Sequence, residues 1–166
     1  MSRLQLPIRQ IKQVRRYTLR LLDNTDPAEW FRQPVEGVTH VAWQVGHLAL
    51  AEYRFALERI RGRRPEDEWL IPEEFLRRFS RESVPEPDPA RYPDPILIRA
   101  VLDRVHRQTL QDLQALPEEE LDRPPLREHP LFDTKLGALL WCAQHEMLHA
   151  GQIGLLRRLL GHSPLW

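Results

Sequence analysis

His145 and His149 stand four residues apart in the run Trp141-Cys142-Ala143-Gln144-His145-Glu146-Met147-Leu148-His149-Ala150-Gly151-Gln152. The run reads as helix, and residues at i and i+4 share a helix face, roughly 6 Å apart. Two imidazoles so placed can converge on one metal ion. They share that face with Ala138, Trp141, Cys142 and Gln152, an apolar surface expected to point into a core. Buried imidazoles need partners for their ring nitrogens, and ligation satisfies one on each ring. The plainer alternative is a pair of core histidines bonded to backbone or water.

His47 is the best third ligand. It lies midway along a second apolar helical stretch, after Gly46, whose small size admits a neighbouring helix. Three histidines with an open position form the arrangement a catalytic metal requires. His40 lies two turns earlier on the same face, about 10 Å along the axis. It is either an acid–base partner at the pocket mouth or a surface residue at the helix start. His106 reads as half of a solvated pair with Asp103. His129 sits in a Pro-flanked loop able to reach over a site, and His162 reads as exposed.

Two familiar motifs do not survive inspection. His145-Glu146-Met147-Leu148-His149 matches the H-E-x-x-H pattern of zinc proteases. No Asp or Glu follows His149, however, and His162 does not fit the spacing of a downstream ligand. Glu146-Met147-Leu148-His149 matches the E-x-x-H of di-iron bundles, but the chain has no second copy and the first helix has no Glu. Glu146 points about 100° away from His145 around the helix, which makes it a poor general base. Cys142 reads as a small packing residue.

Helices must position these groups. Leu4, Ile8, Ile11, Arg15, Thr18 and Leu22 step by three or four, which predicts a helix from about Pro7 to Asp23. Asp26-Pro27 predicts a short capped helix through Arg32. Thr39 is the expected cap of a second long helix ending at Arg61, with Gly62 as its stop. Pro72 opens a short helix through Arg78, and the Pro-rich stretch 85–93 is an irregular crossover. Asp94-Pro95 opens a third long helix to about Leu116. Pro117 to Leu121 forms a short acidic turn, and 123–132 is loop with some extended character. Asp133 or Thr134 caps a last helix to Leu160, and Gly161 stops it. No stretch alternates long enough to predict a strand. The expected fold is all-α: one domain over 1–166, a four-helix bundle with a long crossover between its second and third helices.

Composition narrows the function classes. The chain has 166 residues, with 24 basic and 24 acidic side chains. It therefore carries no basic footprint for nucleic acid. One cysteine excludes both an intrachain disulfide and a thiolate-rich zinc site. Apolar runs are far too short for a membrane span, and the N-terminus lacks a signal-peptide core. The expectation is a soluble cytoplasmic protein acting on a small molecule, with neither nucleic acid nor membrane as partner. The patch Arg59-Arg61-Arg63-Arg64 solvates a helix end or holds an anionic thiol cofactor.

Two segments resemble the DinB-like (DinB/YfiT) superfamily of metal-binding four-helix bundles. Val41-Ala42-Trp43-Gln44-Val45-Gly46-His47-Leu48-Ala49 is similar to its second-helix motif. His145-Glu146-Met147-Leu148-His149-Ala150-Gly151-Gln152-Ile153 is similar to its last-helix motif. The resemblance implies that His47, His145 and His149 hold a divalent ion, Zn or Ni above all. It implies a transferase working with a low-molecular-weight thiol, or a related hydrolase, and a homodimer. Gln44 and Gln152, each three residues from a ligand, would orient water or substrate, with His40 as the acid–base candidate. The competing class is a non-catalytic, metal-stabilised bundle or dimeric interaction module. Four protein ligands and no access would mark a scaffold; a pocket beside the metal would mark a catalyst.

Overall fold

The four apolar stripes become four helical rods in the computed structural model, which describes residues 2–165. The first, α1 (Gln5–Asp23), buries Ile8, Ile11, Val14, Arg15, Thr18, Leu21 and Leu22, the face its spacing specifies. The second rod is not the uninterrupted α-helix expected. It comprises α2 (Val41–Glu52), a six-residue π-helix (Tyr53–Glu58) and α3 (Arg59–Arg61). Its cap is His40, not Thr39, with the ring Nδ1 accepting the Trp43 amide at 3.1 Å. Gly62 ends the rod at φ 84° and Gly161 ends the last helix at φ 97°, left-handed conformations that a Cβ resists.

The crossover carries α4 (Asp67–Leu70), which the sequence did not announce, and α5 (Glu73–Arg78), which it did. The turn opened by Asp26-Pro27 stops at Glu29, short of the expected Arg32. The third rod, α6 (Pro95–Gln114), starts where Asp94 Oδ1 accepts the Ile96 amide at 2.7 Å. The fourth, α7 (Lys135–Leu159), starts where Thr134 Oγ1 accepts the Gly137 amide at 3.1 Å. The main packing pairs are α1 with α7 and α2 with both α6 and α7. Every residue of α2 is buried, since it has neighbours on all sides. The described residues contain no strand; the loop before α7 has one isolated bridge, His129 to Phe132. No described helix is long and apolar enough to cross a membrane.

Two apolar clusters make the core. One gathers Trp30, Leu48, Tyr53, Phe79, Leu102 and Ile153; the other gathers Ile11, Val14, Phe55, Leu113, Leu139 and Ala143. Along the rods a buried polar network falls between them. Arg15 Nε and Nη2 donate to the two carboxylate oxygens of Glu146 at 2.7 and 2.9 Å, and Nη2 also reaches Glu52 Oε2 at 2.8 Å. Thr18 donates to Glu146 Oε1 at 2.8 Å, and Arg15 Nη1 donates to the Leu102 carbonyl. His106 Nδ1 donates to Glu52 Oε1 at 2.9 Å, so it belongs to this network and not to a solvated pair with Asp103. One guanidinium thus ties α1, α2, α6 and α7 together. Buried charges persist only when each is matched this completely.

Candidate metal centre

Three side chains from two rods meet where α2 crosses α7. The ring centroids of His47 and His149 lie 4.8 Å apart, those of His145 and His149 4.5 Å, and those of His47 and His145 5.4 Å. One ring nitrogen from each lies within 4.8 Å of the others. No further His, Cys, Asp or Glu joins the group among the described residues.

The rings are held in specific orientations. His47 donates Nδ1–H to the Phe79 carbonyl at 2.8 Å, and its face stacks on Trp43 at 4.8 Å between centroids. His149 donates Nδ1–H to Gln44 Oε1 at 2.5 Å. Gln44 is itself fixed, since its Nε2 donates to Thr39 Oγ1 at 3.1 Å. In both rings the proton is thereby set on Nδ1, which leaves the Nε2 lone pair free for a metal. His145 differs: its Nδ1 is buried with no protein partner. Aromatic neighbours hold that ring instead, with Phe55 at 5.3 Å and Trp141 at 6.2 Å.

Burial keeps all three rings neutral at pH 7. It lowers His145 to about 4, helped by His47 and His129, and lowers His149 to about 3, helped by His145 and His47. His47 is lowered mainly by burial as well. Neutral imidazoles with free lone pairs, and an orphaned nitrogen on the third ring, are the donor set that suits a divalent borderline metal.

The crossover places His47. A Cβ on Gly46 would stand 2.3 Å from the Phe79 ring, so only glycine lets Phe79 lie against α2 and present its carbonyl to His47. Ser83, further along the same segment, accepts from Trp43 Nε1 at 2.9 Å.

The other candidates divide. Gln44, expected to orient water or substrate, instead accepts from His149 and does not line the cleft. Gln152 is exposed and does not line the cleft beside the histidines. His40 does not line it either. Its Nδ1 caps α2 and its Nε2–H donates to the Glu86 carbonyl at 2.9 Å, so both nitrogens are occupied by backbone. Burial lowers its pKa to about 4, so the ring is neutral at pH 7 and its one proton is held by the Glu86 carbonyl. Cys142 is buried, and burial raises its thiol pKa, so it is inert packing. Glu146 faces Arg15, away from the histidines. His162 is half-buried and bonds Glu29 at 2.8 Å, against the expectation of an exposed residue.

The histidines open onto a cleft of about 580 Å³. Trp43, Phe55, Trp141 and Leu131 supply apolar walls, His129 reaches over from its loop, and Arg54, Arg59, Arg81 and Glu82 line the rest.

The three-histidine cluster thus lies on the second and last rods of a four-helix bundle, with an open cleft beside it. The DinB superfamily sequence profile matches residues 10–153. The chain belongs to the DinB superfamily. A similar fold occurs in a solved structure, the crystal structure of the conserved protein of locus from Enterococcus faecalis. It has a TM-score of 0.71 and 20% identity, over 96% of this chain and 97% of that one. Among curated proteins, none matches. The DinB assignment agrees with the bundle and with a metal-associated histidine cluster.

Sequence reasoning missed two parts of this site. The Phe79 carbonyl is a backbone group, and nothing in the sequence marks it as a partner of His47. The Arg15–Glu52–Glu146 network had a visible trace, since Arg15 and Thr18 fall on the apolar stripe of the first helix.

Proposed function

We propose that this DinB-superfamily protein is a divalent-metal-dependent enzyme: a transferase acting with a low-molecular-weight thiol, or a related hydrolase. One observation carries the reading: three neutral imidazoles converge beside an open cleft, and no fourth protein ligand closes the set among the described residues. His47, His145 and His149 would hold the ion, with Zn or Ni the ions that the family resemblance implies. Bound there, a divalent ion lowers the pKa of a thiol or water, supplying a nucleophile at neutral pH.

The chain's own residues then have defined tasks. Gln44 and the Phe79 carbonyl hold the protons of His149 and His47 on Nδ1 and aim both rings. Trp43, Phe55 and Trp141 limit water on the cleft side. Neither Glu146 nor His40 can take a proton from substrate, since one is locked to Arg15 and the other to backbone. His129, on the cleft wall, is the remaining titratable imidazole near substrate.

Metal analysis of protein purified without chelators should find about one divalent ion per chain in wild type and none in His47→Ala. A panel of thiols and electrophiles, assayed with loaded protein, should yield metal-dependent turnover. Equal metal content in wild type and His47→Ala would sink the reading.

A further inference from the structure

We infer that the cleft beside the three histidines takes an anionic substrate, whose carboxylate or phosphate group is received by Arg54 and Arg59, with Arg81 at the rim. This inference rests on the metal-enzyme reading above and names the substrate class for the same site.

The π-helix is the first observation. Residues five apart lie about 140° apart around an α-helix, on different faces. Across Tyr53–Glu58 the backbone bonds from i to i+5, and the Arg59 amide donates to the Arg54 carbonyl. Residues 54 and 59 are therefore stacked one π-turn apart, and both line the cleft. A continuous α-helix would have turned one of them away.

The second observation is that these cations form no salt bridge, with Glu82 the acid in the field of Arg54 and Arg81. Arg61 pairs with Asp67 and Asp112, and Arg63 pairs with Glu68 and Glu73. Arg54, Arg59 and Arg81 form no salt bridge among the described residues. Arg59 Nε is buried with no partner, while Nη1 is tied to the Arg54 carbonyl at 3.2 Å and the guanidinium sits 5.2 Å from the Phe55 ring centroid. Glu58, the adjacent acid, is turned to Arg127 instead. Burial lowers the Arg59 pKa, and Arg127 and Arg54 add to that against the opposing pull of Glu58. Glu82 is the one carboxylate on the cleft wall, set against three arginines.

Arg54 follows His47 by seven residues, about two turns along the same rod, and both line the cleft, so one ligand can face the histidines and the arginines together. Guanidinium forks bind carboxylate and phosphate through paired, charge-assisted hydrogen bonds, so the two acid groups share one recognition chemistry.

Calorimetric titration of chelator-treated protein with inorganic phosphate and, separately, succinate at constant ionic strength tests the site without the metal. Saturable binding of at least one probe is expected, with the tighter probe naming the acid group. Arg59→Gln should weaken binding about tenfold or more, and Arg81→Gln, which is exposed and safe for folding, should weaken it less. Arg158→Gln, on the far end of α7, should bind as wild type does. The inference is overturned if neither probe saturates wild type, or if both cleft variants bind like Arg158→Gln. Metal content of wild-type protein purified without chelators separates the two readings. Wild type that holds metal but binds neither anion removes this inference alone, whereas wild type that binds an anion but never takes metal removes the enzyme reading.

Discussion

His145 and Glu146 are neighbours on α7, yet they serve opposite kinds of site. Both lie in the bundle interior. His145 belongs to a neutral cluster that opens on a cleft and leaves a nitrogen unpartnered. Glu146 belongs to a charged cluster that is sealed, with Arg15, Thr18 and Glu52 meeting every demand. The sealed cluster spends its bonding capacity inside the protein and fixes how α7 sits against α1 and α2. The open cluster keeps capacity for something from outside. A polar group in a core therefore signals function only when its partners are incomplete.

Breaking the sealed cluster should have the largest effect. Arg15→Met leaves two carboxylates buried without their cation, and loss of one partner from such a set costs about 3–5 kcal/mol. Chemical denaturation should register that loss, or an unfolded protein. A variant within 1 kcal/mol of wild type, on the scale expected of a surface substitution, would mean that the network does not organise the bundle.

Gly46→Ala tests the open cluster through its support. The methyl group must displace Phe79, at about 1–3 kcal/mol for an overpacked core, and the carbonyl that aims His47 moves with it. Reduced stability and reduced metal content should appear together. Full metal occupancy in a destabilised variant would detach Phe79 from the site.

Acid distinguishes the clusters next. His40, His145 and His149 have pKa values lowered by burial to about 4, 4 and 3. Between the ordinary histidine value and those values the unfolded chain binds more protons than the folded one. Stability is thus fully present above about pH 6.5 and falls as pH drops. From pH 7 to 6 the three together should cost the metal-free protein about 2 kcal/mol at most. Glu52 has a lowered pKa, chiefly through Arg15 acting against burial, so its contribution is lost only below the ordinary carboxylate range. Urea titrations that are flat from pH 7 to 5 would show that the histidines are not buried as neutral rings.

The mildest change is Gln44→Leu, which removes the acceptor from His149 Nδ1 without opening the core. Metal affinity should fall about tenfold or somewhat more, measured by competition with a chromogenic chelator. Gln152→Leu, at the exposed position, should leave affinity unchanged. Equal effects from the two would erase the distinction between them.

Much of this was legible beforehand. Apolar residues at three-and-four spacing mark all four rods, and Asp94 and Thr134 are caps because their side chains can accept the first free amides. His47, His145 and His149 were nameable because i, i+4 spacing fixes two of them on one face and elimination of downstream ligands points upstream for the third. Gln44 and Gln152 were indistinguishable by spacing, since each lies three residues from a histidine. Only packing shows that one is enclosed beside Thr39 and the other faces solvent. His40 was misjudged for a similar reason: helical periodicity places a residue on a face, but a residue at the helix start can cap the backbone instead.

The sequence by itself therefore determined the helices, their stops and the residue types able to hold a metal, because these depend on local backbone preference and periodicity. Tertiary structure alone decided which nitrogen of His47 and of His149 is free, which carboxylates are locked to Arg15, and that a π-turn sets Arg54 and Arg59 on one wall. Those outcomes depend on distant segments meeting: Phe79 with His47, residue 15 with residue 146, and the loop of His129 with the cleft. No local pattern encodes such meetings, since their energy exists only once the rods have packed.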